Sequence, residues 1–421
     1  MPKRFQLGLS LIELLVALLI SAILVLAVFR VLAVSEGSKR TTTSVNDAGQ
    51  SGTYALFFID KWVRSAGSGF TQAGVEASNA SSYGGQITAF GCQVFAAFNN
   101  ANIIPRSTAL PAPFGSVNTG IAGRFRLAPI LIAPGQTTPS ASGQVSDVLI
   151  VMAGSAGFAE TPMLARSVFD ASATPFASAA SGATQMNLGT GVSLAANDLV
   201  LVADQASATN VAPCMVQQVA SVSGGDVQLT NATGYGKTTI GTSPNTATIT
   251  SFTNNAAVMK LGNVAAGNPP TFLLIGVGAN NTLFTYDLLR TGGADATPNP
   301  NLQAVADGVF ELHAVYGVDT DNNGTVDSWE DPGATGNAYQ LSALMAGTKT
   351  AAALIAQIKA VRVGLILRTS LQEREPVAPA SLTMFSDLGL TYTRDLVGIE
   401  RNFRYRVVEQ TIPLRNALML E

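Results

Sequence analysis

The chain is poor in charge and nearly devoid of histidine. Lys, Arg, Asp and Glu make up 12% of its 421 residues, histidine occurs once, as His313, and cysteine twice, as Cys92 and Cys214. One histidine and two cysteines far apart in sequence argue against a zinc site or a cysteine nucleophile, because both need neighbouring His or Cys groups. The net charge of −3, with a pI near 5.3, supplies no overall field that would attract nucleic acid, so no such partner is expected. What the chain does have is apolar content: 47% hydrophobic residues, ample for a buried core. Sparse charge with abundant Gly, Ala, Ser and Thr fits a β-rich extracytoplasmic domain with many turns better than a helical cytosolic enzyme. No convincing internal repeat is present.

The apolar residues are concentrated at the start, in MPKRFQLGLSLIELLVALLISAILVLAVFRVLA. A helix over Leu9 to Val34 exceeds the ~30 Å hydrocarbon core of a bilayer at about 1.5 Å per residue, so it can span. Lys3 and Arg4 precede it, and short basic flanks stay cytoplasmic, which sends the rest of the chain to the far side. A cleaved secretory signal, a plain anchor and an anchor with a further task all remain open at this level. Glu13 separates them: a secretory signal wants a purely apolar middle. An acidic side chain near the centre of a membrane helix costs roughly 2.5–3.5 kcal/mol, less near the interface, and asks for a positive partner.

MPKRFQLG followed by LSLIELLVALLIS resembles the type IV prepilin signature, a short basic leader ending in Gly and then an apolar helix with Glu as its fifth residue. The resemblance implies that a prepilin peptidase cuts between Gly8 and Leu9 and methylates the new amino group of Leu9. It also implies that Glu13 pairs with the amino terminus of a neighbouring subunit during assembly. Leu9 departs from the commonest residue, Phe, though other apolar residues occur there in relatives.

Beyond Val34 the helix pattern persists. Leu56, Ile59 and Val63 recur at helical spacing, and Gly67 can end the helix, which predicts one long helix to about residue 66, bent or frayed near Gly49 and Gly52. From Ser68 on, short β-favouring runs alternate with turn residues: DVLIVMA, DLVLVAD, DVQLT, TFLLIGVG, VRVGLILR and FRYRVVEQTIPLR. Helix is expected only at about 348–359, and segments 134–146 and 171–186 read as loops. The expected fold is α+β, a long N-terminal transmembrane helix packed on a large, mainly β domain. Its parts are a leader at 1–8, the helix at 9–66 with 9–34 in the membrane, and the β-rich domain at 67–421.

Several landmarks narrow the resemblance to the large minor pilins of the PilW family. They are WVRSAG, Gly91–Cys92, SDVLIV, GVFELHAVYGVDTDNNGTVDS, AVRVGLILR and RYRVVEQTIPLRN. That resemblance implies a minor pilin, not an enzyme, that primes or joins pilus assembly, with other minor pilins, the major pilin, the prepilin peptidase and a tip adhesin as partners. It implies a single pass through the inner membrane, a periplasmic C-terminal domain, and later residence in the pilus at the cell surface, serving adhesion and twitching. Leu11, Leu15, Leu18 and Phe29 would make the helix contacts. A minor pseudopilin of type II secretion shares the processing motif, and a membrane-anchored, calcium-dependent adhesin is a reading from another class.

An oxidising compartment favours a bridge between Cys92 and Cys214, two buried unpaired thiols being the alternative. The stretch DTDNNGTVDSWE places oxygen-bearing side chains at loop positions 1, 3, 5, 9 and 12 and Gly at position 6, the spacing of an EF-hand loop. Calcium takes about six to eight hard oxygen ligands, which Asp319, Asp321, Asn323, the Thr325 carbonyl, Asp327 and a bidentate Glu330 would supply, with Asp331 able to replace Glu330. The flanks read as strand and turn, so the loop stands without EF-hand helices, and a solvated Asx-rich turn is the plain alternative. NATGYGKTT lacks the first glycine of a phosphate-binding loop, and GVGANN reads as a hairpin turn. His313 sits in an expected strand as a structural residue.

Overall fold

The computed structural model describes residues 10–70, 89–106, 109–115, 117, 123–137, 145–155, 163–165, 176–178, 184–189, 191, 193–204, 211–253, 256–289 and 301–417. Gly8 and Leu9, with the rest of the leader, lie outside the described residues.

One helix runs unbroken over Leu11–Ser65. Ser10 precedes it in an extended conformation, and the Glu13 carboxylate reaches back to accept the Ser10 N–H at 3.4 Å, so one amide without an intrahelical partner is satisfied. The helix stops at Ser65, where Ala66 leaves helical geometry and Gly67 takes a φ of +81° that few other residues tolerate. The bend expected near Gly49 and Gly52 is absent as a break. Gly52 instead serves contact: with Ala55, Ile59 and Val63 it forms the one buried stripe, at helical spacing, and lets the helix approach the sheet below.

That stripe packs on an antiparallel four-stranded sheet ordered Ser328–Glu330, Val309–Val318, Ile358–Arg368, Tyr405–Pro413. The last strand rises alongside the helix. Thr41 meets Glu373 at 3.3 Å, Leu371 N–H donates to Ser44 at 3.4 Å, Gln410 donates to Asp60 at 2.8 Å, and Asn416 donates to the carbonyls of Ser65 and Ala66. A second antiparallel sheet, ordered Leu302–Asp307, Thr282–Asp287, Thr271–Gly278, Ser146–Ala153, Ile130–Thr137, shares the same core. Its central strands are buried along their whole length, as expected of a sheet covered on both faces.

A third sheet is built on Ala257–Asn263, Asp198–Ala203, Cys214–Ser223 and Asp226–Leu229, with its own cluster of Val200, Met215, Val227 and Ile240. Segment 171–186, expected as a loop, contributes Phe176–Ser178 and the start of Thr184–Asn187 to it, because Phe176 and Met186 are pulled into that cluster. Likewise Ile130–Thr137 extends into 134–146, and Ser146 opens the next strand. The helix expected at 348–359 spans Lys349–Gln357, started by Thr348 accepting the Ala351 N–H, and a short turn of helix at Leu341–Leu344 precedes it. The NATGYGKTT segment is a turn whose Lys237 ammonium donates to Asn100 O and Asn102 Oδ1, both at 2.8 Å, and a strand follows it. GVGANN is the hairpin turn between Thr271–Gly278 and Thr282–Asp287.

Candidate functional site

Three regions carry chemistry: the exposed half of the helix, the acidic loop, and a buried charged cluster beneath that loop's sheet.

From Leu11 to Val34 every Leu, Ile, Val and Phe of the helix is more than half exposed, from 52% at Ile20 to 79% at Leu11. Burying such a side chain is worth about 1.5–3 kcal/mol, so a stretch of this length does not rest in water. It is long and apolar enough to cross a membrane. Leu11, Leu15, Leu18 and Phe29 are among these exposed residues. Glu13 lies one turn into the helix, its carboxylate directed back toward the chain start.

The acidic loop leaves the strand Val309–Val318 at Asp319 and returns into Ser328–Glu330. Asp319 is fully buried, and its two carboxylate oxygens accept the N–H groups of Asn323 at 3.1 Å and Gly324 at 2.9 Å. Burial opposes ionisation of Asp319, but the N–H groups of Gly324, Asn323 and Asn322, with Lys359 nearby, together hold its carboxyl below the ordinary range. Asp321 accepts from Asn323, and Asn323 Oδ1 accepts from the amide and hydroxyl of Thr325. The hydroxyl and amide of Thr320 donate to Asp327, both at 2.8 Å, and hold that carboxyl low as well. Gly324 turns the chain at a φ of +81°. The result brings carboxylate oxygens of Asp319, Asp321 and Asp327 within 4.8 Å of one another.

Glu330 does not join them. It is a strand residue opposite Tyr316, and its oxygens accept from Ser328 at 3.0 Å and Asn337 at 2.7 Å. Asp331 accepts the Gly333 N–H at 2.7 Å in the following turn. The sequence places Glu330 at the twelfth loop position of an EF-hand, but here a returning strand replaces the second helix and the side chain is held by its own strand. The remaining donors are hard oxygens on a tight loop, a set suited to a cation such as calcium.

Cys92 and Cys214 form a disulfide with Cα atoms 5.7 Å apart, closing a sequence separation of 122 residues. It ties the strand Val94–Phe98 to the start of Cys214–Ser223, with which that strand pairs in parallel.

His313, expected only as a structural residue, is the centre of a cluster that the sequence reading did not assemble. It is 6% exposed, with Nδ1 3.6 Å from Asp147 and Nε2 3.3 Å from Glu311, and its ring stacks on Tyr392 at 3.8 Å. Arg394 joins Glu311 and Glu400, each at 2.8 Å, and the Tyr392 hydroxyl donates to Glu311. Burial alone would lower the His313 pKa, but the hydrogen bonds and charges of Asp147 and Glu311 outweigh it and push it up to about 9. Glu311 and His313, two apart on one strand, share a face, and that Glu-x-His spacing was the available signal.

The chain is thus a long N-terminal apolar helix, free in its first half and docked in its second on a mainly β domain. A family model described as Type IV Pilus-assembly protein W matches residues 274–416, and one described as the prokaryotic N-terminal methylation motif matches residues 3–29. Together they support a membrane-anchored protein associated with type IV pili. The first match spans the four-stranded sheet and the acidic loop, whereas the disulfide-bearing sheet lies in neither match. No curated protein and no solved structure gives a match.

Proposed function

We propose that the protein is a minor type IV pilin of the PilW kind that primes or joins pilus assembly through its N-terminal helix. A prepilin peptidase cuts between Gly8 and Leu9, and the Leu9 amine is methylated. Lys3 and Arg4 keep the leader cytoplasmic, so the β-rich domain lies in the periplasm until assembly carries it into the pilus. Glu13 then pairs with the amino terminus of a neighbouring pilin, a cation that exists only after cleavage. Other minor pilins, the major pilin and a tip adhesin are its partners.

The observation that supports this reading best is that every large apolar side chain from Leu11 to Val34 is more than half exposed, beside a firmly docked second half. In a bilayer those side chains face lipid, and in a filament they face parallel helices of other subunits. Mass spectrometry of the mature amino terminus is the test. A chain beginning at methylated Leu9 is expected, and an intact leader overturns the reading.

As a second part of the proposal, the acidic loop binds calcium through Asp319, Asp321, Asn323, the Thr325 carbonyl and Asp327, and so stiffens an exposed turn of the domain. Isothermal titration of the full-length protein in detergent is expected to give calcium heat. No heat, with melting unchanged by chelator, rejects it.

A further inference from the structure

The base of the β domain carries an apolar tip beside the point where the helix leaves its apolar stretch. The order of contacts along the helix sets the geometry. Thr41 meets Glu373, Ser44 meets Leu371, Gly52 lies on Leu367, and Asp60 meets Gln410, so the Arg368 and Tyr405 ends of their strands point toward the helix's apolar half. The segments beyond those ends, 369–380 and 396–404, therefore form the base.

They are bound to each other. Glu373 N–H donates to Asn402 O at 2.7 Å, and Val377 and Ala378 donate to Arg401 O at 2.8 and 3.0 Å. Leu396 N–H donates to Ala380 O at 2.8 Å. From this base three large apolar side chains project into solvent: Val397 at 65% exposure, Ile399 at 63% and Val377 at 40%. They are not frayed ends. The Glu400 carboxylate is 9% exposed as a residue, accepts the Val397 N–H at 3.1 Å and is gripped by Arg394, while Gly398 takes a φ of +54° between Val397 and Ile399. An ordered turn thus holds apolar groups outward, which in a soluble monomer needs a reason.

Charge around them is mixed: Glu36, Glu375 and Asp395 are exposed there, together with basic groups. Lys39 and Arg374 are exposed and make no ion pair among the described residues, and Arg40 and Arg404 stand beside them in pairs with Glu36 and Glu373. From Val34, the end of the apolar run, to Thr41 is seven residues, about 10 Å of helix, which places this base at the depth of lipid headgroups. Arg30, four residues earlier, can extend its guanidinium to the same layer.

We infer that the base of the domain rests on the bilayer, with Val397, Ile399 and Val377 entering the headgroup–acyl boundary and Lys39 and Arg374 meeting lipid phosphates, before the subunit leaves the membrane. The occupant follows from continuity: the same helix that crosses the bilayer brings this surface down to it. Outward apolar side chains with unpaired cations beside them, here Lys39 and Arg374 among several carboxylates, suit an interfacial membrane contact. The inference rests on reading Leu11 to Val34 as a membrane span.

The test uses full-length protein in liposomes with one nitroxide label at a time, introduced as Leu19→Cys, Val326→Cys or Ile399→Cys, the native cysteines being bridged. Accessibility to oxygen marks lipid and accessibility to a nickel chelate marks water. Labels at Leu19 and Ile399 are expected to favour oxygen, and the label at Val326, in the acidic loop at the other end of the sheet, the chelate. Replacing part of the phosphatidylcholine with phosphatidylglycerol is expected to move the Ile399 label deeper, and Arg374→Glu to abolish that shift. A Leu19 label in water overturns the membrane span and this inference with it. A Leu19 label in lipid with the Ile399 label in water overturns this inference alone. An Ile399 label shielded from both reagents means that a protein neighbour covers the tip, and also overturns it.

Discussion

Gly52 of the long helix lies against Leu367 so closely that a Cβ built on it would stand 2.0 Å from Leu367 Cδ1. Leu367 is itself 1% exposed and has little room to withdraw. Three residues earlier on the same helix, a Cβ at Gly49 would meet only Arg406 Nη1 at 3.6 Å, an ordinary contact. The two glycines therefore predict opposite effects. Gly→Ala in a helix interior gains about 0.5–1 kcal/mol, whereas forcing a methyl into a packed core costs roughly 1–3 kcal/mol. Gly49→Ala should raise the melting temperature of the domain, and Gly52→Ala should lower it, as read by thermal unfolding in detergent.

The His313 cluster predicts a pH dependence. Its folded pKa of about 9 stands above the ordinary imidazole value of 6.5, so the stability it contributes is fully present below about pH 6.5 and is lost as pH rises through 9. The full difference is of the order of 3 kcal/mol. Chemical denaturation at a series of pH values should show this loss in the wild type, and His313→Gln should flatten it.

The disulfide predicts a loss on reduction. Closing a loop of this length constrains the unfolded chain by roughly 4–5 kcal/mol in the entropy model, and less where strain intervenes. Cys92→Ser with Cys214→Ser should lower the denaturation midpoint of the Val200 and Met215 sheet.

In the acidic loop, Asp321→Ala should weaken calcium binding by at least about tenfold, because it removes one carboxylate of a three-carboxylate group. Glu330→Gln should change it far less, since Ser328 and Asn337 already hold that side chain. Calorimetry on both variants makes the comparison. Equal losses would mean that the strand Ser328–Glu330 opens on binding.

Glu13→Ala should leave insertion and processing intact yet reduce incorporation into filaments, as followed by fractionating pili from cells. Normal incorporation would leave the carboxylate only the local task of accepting the Ser10 N–H.

The helix and its ends were legible because apolar spacing and Gly67 are local signals, and the strands with alternating patterns were legible for the same reason. Phe176–Ser178 and Thr184–Asn187 were not, since their Ser, Ala and Thr content is that of a loop: Thr184–Asn187 is recruited by pairing with Asp226–Leu229, and Phe176–Ser178 by pairing with Thr184–Asn187. The loop ligands Asp319, Asp321 and Asp327 could be read from spacing alone, whereas the fate of Glu330 depended on a strand partner 14 residues earlier, Tyr316. The His313 cluster draws on Asp147 and Arg394, which pair with it only through tertiary packing. No sequence period joins residues 166 or 81 positions apart, the separations of His313 from Asp147 and of Arg394 from His313.

Asn416 reaches back to the carbonyls of Ser65 and Ala66, so the end of the long helix is clasped by a residue 350 positions beyond Ala66. During synthesis the long helix emerges well before its docking strand, Tyr405–Pro413, has been made. Docking of the helix on that strand becomes possible only once translation has passed Pro413. A chain halted before Tyr405 would hold its long helix but not the coupling between helix and domain.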